Sequence, residues 1–171
     1  QAFPDETFNK LLETLTKGQT IMHVVKAPYS REWNGTEIEV LFPTKIRPER
    51  GINNNCLVIS LTSGKRRFLF AGDIEKEAEG EITDLSTHLE VDVLKIPHHG
   101  SRTSSSIPFI DKVHPRHAIA SLGDGNMFHF PHPGVLEKYL RRDVQVWRTD
   151  LQGAVTVSSD GENLKVSTFQ D

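Results

Sequence analysis

Three short stretches of this sequence carry residue types suited to metal-dependent hydrolysis. Asp73 follows an apolar run and a glycine, the pair His98 and His99 follows a second apolar run, and His132 lies in a loop rich in proline. Carboxylate oxygens and imidazole nitrogens are ligands for ions such as Zn²⁺ and Mn²⁺. Because Asp73 and the histidine pair are one strand-helix unit apart, we predict that they approach a shared ion.

Each stretch also has a structural interpretation. Asp73 directly precedes a predicted helix, where a carboxylate often caps the free N–H groups. Adjacent histidines on extended backbone point to opposite sides, so only one ring of the His98-His99 pair is expected as a direct ligand, with the other as support. The prolines around His132 are also typical of a rigid turn.

Hydrophobic periodicity predicts the elements that position these stretches. The predicted helices cover residues 8–17, 74–89, 107–113 and 135–140, and the predicted strands cover 20–25, 37–42, 56–61, 66–71, 91–96, 118–121, 144–147, 154–157 and 164–168. Hairpin turns are expected at Ser63-Gly64 and at Asp160-Gly161. The alternation of strands and helices predicts a layered α/β domain with a mixed sheet.

Composition excludes several classes of protein. The 171 residues include 20 Lys+Arg and 23 Asp+Glu, which give a net charge of −3 and no bulk attraction for a polyanion. Cys56 is the single cysteine, so no internal disulfide or CxxC site is possible. A phosphate loop, a GxSxG elbow and an HExxH helix are all missing. The chain begins with Gln1 and without a signal pattern, so we expect it to be a segment of a longer protein.

The ordered strings "FLFAGD", "PHHGS", "PHP" and "RTDLQG" resemble the C-terminal metallo-β-lactamase-like domain of the ComEC family of DNA-uptake proteins. The resemblance extends from about Gly35 to Val157. It implies an αβ/βα sandwich with a divalent metal, Zn or Mn, and a phosphodiesterase that acts on incoming DNA. It also implies attachment to a membrane channel domain of the same polypeptide in the inner membrane.

The resemblance further assigns roles to individual residues. Asp73 corresponds to a metal-bridging carboxylate, and His99, with His98 beside it, corresponds to an imidazole ligand. Ser101 and the hydroxyls of residues 103–106 are candidate donors to phosphate oxygens, or alternatively caps for the next helix. The family's loop histidine is replaced by Phe130, and His132 is the candidate to substitute for it.

One part of the family pattern is missing from this sequence. No HxHxDH or HxDxDH string, which supplies the first metal ligands, is present among the eight histidines. We therefore expect residues 1–171 to form a single partial domain, the C-terminal half of the fold, which binds metal weakly or not at all and does not cleave DNA. An uncovered sheet face predicts self-association into a homo-oligomer.

Two other functions remain open at this level. One is a different hydrolase of the same superfamily, such as a phosphorylcholine esterase, and the other is a catalytically silent domain that guides DNA. Three basic clusters, Lys45-Arg47-Arg50, Lys65-Arg66-Arg67 and Arg141-Arg142, are candidates for a DNA-binding surface or for ordinary solvated faces.

Overall fold

A seven-stranded mixed sheet organises the computed structural model, which describes residues 6–85 and 88–169. The strands lie side by side in chain order: β1 Tyr29–Trp33, β2 Thr36–Phe42, β3 Val58–Ser63, β4 Arg66–Phe70, β5 Val93–Lys95, β6 His117–Ala120 and β7 Gln145–Arg148. Strands β1 to β4 pair antiparallel, and β4 to β7 pair parallel. Strands β8 (Val155–Ser159) and β9 (Leu164–Thr168) form a separate hairpin. The predicted α/β class with a mixed sheet is confirmed.

The helices are α1 Glu6–Lys17, α2 Lys76–Leu85, α3 Ile107–Val113, α4 Pro133–Leu140 and α5 Thr149–Gln152. Side chains of α2, α3 and α4 form one buried cluster with alternate residues of the parallel strands. Leu69, Leu94 and Ala118 are the strand residues at its centre, and each is at most 1% exposed. Because successive side chains of a strand point to opposite faces, their neighbours lie on the other face, where Phe70 is 43% exposed.

The N-terminal part of the chain departs from the sequence prediction. Helix α1 forms as expected, but none of its 12 residues is buried. The strand predicted over residues 20–25 is wrong: this segment has no regular structure, and Val24 is fully exposed. A strand is stable only when its backbone pairs with a neighbour, and none of the described strands pairs with it.

Strand β1 was not predicted, although its turn has a readable signal. Asn34 and Gly35 join β1 to β2 with φ angles of 49° and 76°. Two successive positive φ values define the hairpin turn that Asn-Gly favours. The hairpins predicted at Ser63-Gly64 and Asp160-Gly161 are both present, and the two turns meet, since the Lys65 N–H donates to the Gly161 carbonyl at 2.7 Å.

Within the described residues, no helix has the length and apolar character needed to cross a membrane.

Candidate metal site

Four loops converge at one edge of the sheet, because parallel strands end on the same side. Asp73 follows β4, His98 and His99 follow β5, Ser121 follows β6, and Thr149 follows β7. The carboxyl edge of parallel strands is where open α/β sheets place their ligands. This edge therefore carries the candidate site.

Asp73 and His99 face each other at this edge. The Oδ1 atom of Asp73 lies 3.5 Å from Nε2 of His99, so the prediction that the two side chains come within reach of one ion is confirmed. Nδ1 of His99 lies 2.5 Å from the Ser121 carbonyl oxygen, which can only accept a hydrogen bond. Nδ1 therefore carries a proton, and Nε2 is the ring nitrogen that faces the carboxylate. A ring nitrogen oriented in this way is typical of metal-binding histidines.

Unusual backbone conformations create this approach. Gly72 has a φ of 58°, and a Cβ atom there would lie 3.0 Å from Cβ of Cys56, so glycine is required for the turn that delivers Asp73. The Gly72 carbonyl accepts from the His98 N–H at 3.0 Å, which joins the two loops. His98 and His99 both have left-handed φ angles, 46° and 54°. The backbone of this pair is therefore not extended.

The ring of His98 lies beside Glu75, whereas that of His99 lies beside Asp73. Nδ1 of His98 lies 3.5 Å from Oε1 of Glu75, is buried, and has no hydrogen-bond partner among the described residues. The edge of its ring contacts Phe130, with centroids 5.8 Å apart. Oε1 of Glu75 also accepts from the Thr103 hydroxyl at 2.7 Å. Glu75 therefore connects the His98 turn to the loop that follows it.

Asp73 does not cap helix α2, contrary to the alternative considered from the sequence. Oδ1 of Asn54 accepts from the N–H groups of Glu75 and Ala78, at 3.1 and 3.2 Å, and the Thr103 carbonyl accepts from Lys76. Asn54 reaches the helix because it lies in a buried turn just before β3. The Asp73 carboxylate therefore accepts none of these N–H groups and faces His99 instead.

The hydroxyl-rich segment 101–106 is committed to internal contacts. The Ser101 hydroxyl, on a residue 6% exposed, lies 3.0 Å from that of Thr103. Ser104 donates to the carbonyls of Pro97 and Ser101, each at 3.0 Å, and Ser105 accepts from Tyr139. None of these groups caps α3, so that alternative is wrong. A role for Ser101 in contacting phosphate stays a prediction.

The cap of α3 is a buried carboxylate that the sequence analysis missed. Oε1 and Oε2 of Glu79 accept from the N–H groups of Ser105 and Ser106, at 2.5 and 2.7 Å. Burial raises the pKa of Glu79, and the two N–H groups and the nearby Lys138 ammonium partly offset that rise. Glu79 belongs to the apolar side of α2, where an acidic residue within a hydrophobic stripe was the available signal.

His132 begins helix α4. Its Nδ1 faces the Gly134 N–H at 3.1 Å, and its Nε2 lies 2.6 Å from a guanidinium nitrogen of Arg102. The His132 N–H donates to the Gly100 carbonyl at 2.9 Å, so its loop borders the histidine turn. The ring thus caps a helix and contacts a cation, and its catalytic role stays a prediction.

The central residue of the Arg-Thr-Asp string, Thr149, has a structural role. Its hydroxyl accepts from the Leu122 N–H at 2.8 Å and donates to the Leu122 carbonyl at 2.7 Å. Arg148 and Asp150 flank it as an ion pair at 2.5 Å. These contacts hold the segment that carries the Ser121 carbonyl, and so they position His99 indirectly.

Lys95, which the sequence analysis did not single out, adds a positive charge near the site. Burial lowers the pKa of this residue, and the Asp73 carboxylate partly offsets the change. Among the described residues, no group of three or more His, Cys, Asp or Glu side chains is arranged to hold a metal ion. Asp73 and His99 are two candidate ligands at this edge of the sheet.

Comparison with known proteins finds relatives in three bacteria. The chain is 39% identical to ComE operon protein 3 of Bacillus subtilis over 103 residues, 60% of this chain and 13% of that protein. It is 34% identical to Recombination protein 2 of Haemophilus influenzae over 134 residues, 78% of this chain and 17% of that protein. It is 32% identical to Competence protein ComA of Neisseria gonorrhoeae over 125 residues, 72% and 18% of the two chains. The chain thus spans less than a fifth of these relatives.

No family model matches the chain. Among solved structures, it is similar to a hydrolase of the metallo-β-lactamase superfamily from Thermotoga maritima, with a TM-score of 0.37 and 15% identity over 66% of this chain and 55% of that one. The sequence relatives, together with the Gly-Asp, His-His-Gly-Ser and Arg-Thr-Asp motifs, identify the chain as a ComEC-like domain sequence.

Proposed function

We propose that this chain is part of a metal-dependent phosphodiesterase that acts on DNA during its uptake. The observation that carries the proposal is the pair formed by Asp73 and His99, 3.5 Å apart at the carboxyl edge of the sheet. The relatives, one of which is named a competence protein, support DNA as the substrate. From the resemblance of the sequence to the ComEC family, we also propose that the full-length protein has a channel domain and resides in the inner membrane.

The residues at this edge fit a divalent ion. Asp73 supplies a carboxylate without a helix N–H on it, and His99 supplies Nε2 while Ser121 holds the proton on Nδ1. These are oxygen and nitrogen donors of the kind that Zn²⁺ and Mn²⁺ accept. A bound ion would act as a Lewis acid toward a phosphodiester oxygen.

Ligand number limits what this chain does alone. A hydrolytic zinc uses about three protein ligands, and a two-metal site uses more. Asp73 and His99 are two, so we propose that residues outside this sequence complete the site. The chain by itself then binds metal weakly and does not cleave DNA.

Plasmid cleavage with Mn²⁺ tests the proposal, using this chain and the protein at the full length of the relatives. We expect cleavage by the long protein only, and its loss in Asp73→Ala. Asp84→Ala, an exposed carboxylate at the far end of α2, is the matched control. Calorimetric titration with Mn²⁺ gives a second readout, in which Asp73→Ala weakens binding by the long protein.

Three results would contradict the proposal. The first is hydrolysis of phosphorylcholine esters without DNA cleavage, which favours the esterase. The second is DNA binding without hydrolysis, which favours a silent guiding domain. The third is Asp73-dependent cleavage by the chain alone after repeated purification, which overturns the shared site.

A further inference from the structure

Two phenylalanines stack on each other in the loop between β6 and α4, where Phe128 is exposed and Phe130 is half-buried. The rings of Phe128 and Phe130 have centroids 5.5 Å apart and an interplanar angle of 21°. Phe128 is 67% exposed, and its neighbour Met127 is 81% exposed. Exposure of this apolar surface to water is unfavourable, and its burial against a ligand would be favourable. The pair therefore has the composition of a contact surface.

The loop that carries this pair is held by its own hydrogen bonds. Oδ1 of Asn126 accepts from the Phe130 N–H at 2.9 Å, and Nδ2 donates to the carbonyls of Phe130 and Gly123 at 2.8 and 3.2 Å. The side chain of Asn126 thus closes the loop across four residues. A surface ordered before binding loses little conformational entropy when a ligand arrives.

The stacked pair borders the candidate metal site. The Phe130 ring contacts the ring of His98, with centroids 5.8 Å apart. The loop is also pressed against the histidine turn, because a Cβ atom on Gly100 would lie 2.5 Å from Cβ of Pro131. A ligand on the outer face of Phe128 is therefore two ring contacts from His98.

A cation accompanies the aromatic pair. Arg102 is exposed, lies one residue beyond Ser101, and contacts His132 on the same loop as Phe130. In the described part of the chain no carboxylate pairs with Arg102. In contrast, carboxylates pair with arginines of the basic clusters considered from the sequence, namely Arg47, Arg50, Arg66, Arg141 and Arg142. Arg102 is therefore available for a phosphate.

We propose that Phe128 and Phe130, the aromatic platform, receive an unpaired base of single-stranded DNA while Arg102 contacts its backbone phosphate. The inference rests on the proposed function, because the strand leads from the platform to Asp73 and His99. Base stacking on exposed aromatic rings and cation contact with phosphate are the usual combination for single strands. Bases within a duplex are already stacked and paired, so they do not reach such a platform.

Fluorescence anisotropy of a labelled oligonucleotide of about eight nucleotides tests the proposal. The measurement uses this chain in EDTA, so that neither metal nor cleavage contributes. We expect Phe128→Ala to weaken binding roughly 5- to 150-fold, the equivalent of one stacked base. Phe128→Trp restores it, and Arg102→Ala weakens binding and reduces its dependence on salt. Phe169→Ala, which removes an exposed phenylalanine at the other end of the chain, leaves binding unchanged.

The ligand series separates bases from phosphates. An oligonucleotide without bases should bind the native chain and Phe128→Ala equally, and a duplex should show no dependence on Phe128. Equal affinity of Phe128→Ala and Phe169→Ala for the single strand would overturn the platform. The platform would also be overturned if the chain did not bind the oligonucleotide, or if Phe128→Ala weakened duplex binding as much as single-strand binding.

The two proposals fail separately. Plasmid cleavage by the long protein carrying Asp73→Ala tests the phosphodiesterase site, whereas the affinity of Phe128→Ala for the oligonucleotide in EDTA tests the platform. Normal cleavage in the Asp73→Ala variant contradicts the phosphodiesterase site without affecting the platform.

Discussion

The imidazole of His99 is oriented by a carbonyl that depends on a neighbouring loop. Ser121 accepts from Nδ1 of His99, and the next residue, Leu122, is held on both its N–H and its carbonyl by the Thr149 hydroxyl. Hydrogen-bonded chains of this kind fix the tautomer and direction of a metal ligand. At the residue scale, Thr149 is therefore a positioning residue for the site.

Replacing Thr149 with valine tests this role. The Leu122 N–H then loses its acceptor in a half-buried position, so we expect the free energy of unfolding to fall by about 1–3 kcal/mol. In the long protein we also expect Mn²⁺ affinity to fall by about 10- to 100-fold, as for other supporting partners of metal ligands. Urea unfolding and calorimetric titration give the two values.

The control for this substitution is Thr156→Val, on an exposed face of β8. It should change neither quantity. A Thr149→Val protein with reduced stability and unchanged metal affinity would show that Thr149 is structural and does not position His99.

At the scale of elements, the loop between β5 and α3 is held by helix α2. Glu79 caps α3 from inside the core, and Glu75 of the preceding turn accepts from Thr103. All three hydrogen bonds join residues more than 25 positions apart in the chain. Helix α2 therefore fixes the loop whose beginning is the His98-His99 turn.

Removing the Glu79 carboxylate should destabilise the chain. Glu79→Ala leaves two N–H groups at the start of α3 without acceptors, so we expect a loss of about 3 kcal/mol in the free energy of unfolding. Glu90→Ala, an exposed carboxylate between α2 and β5, should be nearly neutral. Equal urea midpoints for the two variants would contradict the capping role.

The pH dependence of Glu79 has a definite sign. Burial raises its pKa in the folded chain above the ordinary value of 4.5, so the native state holds the proton more tightly than the unfolded chain. Tighter proton binding by the native state stabilises the folded chain. This contribution to the free energy of unfolding is complete below pH 4.5 and is lost as the pH rises through the folded pKa of Glu79. Lys138 and Tyr139 of α4 face the same carboxylate.

As part of the same prediction, the wild-type chain should lose stability relative to Glu79→Gln as the pH rises from 4.5 toward neutrality. Urea unfolding of both proteins at a series of pH values measures the difference. A difference that grows in favour of the wild type would mean that the N–H groups outweigh burial.

At the scale of the whole molecule, the sheet has one covered face and one open face. Helices α2 to α4 cover the first. The second, with Phe68 and Phe70, borders a cavity of about 490 Å³ that Val155 and Val157 of β8 also line. The β8–β9 hairpin thus covers part of this face and leaves Phe70 43% exposed.

We expect the chain to self-associate through this open face. Burial of apolar surface contributes about 25 cal/mol per Å² to association. Phe70→Ser should therefore reduce the average mass at high concentration, whereas Leu140→Ser, on the helical side, should not. Light scattering over a wide concentration range measures both, and a wild-type chain that stays monomeric throughout would contradict the prediction.

Much of this architecture was predictable from the sequence because it depends on local patterns. Periodicity located α1 and the strands of the parallel half, and small turn residues located two hairpins. The approach of Asp73 to His99 was also predictable, because parallel strands joined by one crossover helix end at the same edge. Strand β1 was missed although Asn34-Gly35 is the strongest local signal for a hairpin.

Only the tertiary structure decided which side chain serves each backbone group. The sequence shows that Asp73 precedes a helix. In the structure, however, the N–H groups at the start of that helix donate to Asn54, which lies 19 positions before Asp73. In the same way Glu79, rather than a nearby serine, caps α3. Local spacing identifies the groups that need partners, whereas burial and packing determine which distant partner lies close enough to satisfy them.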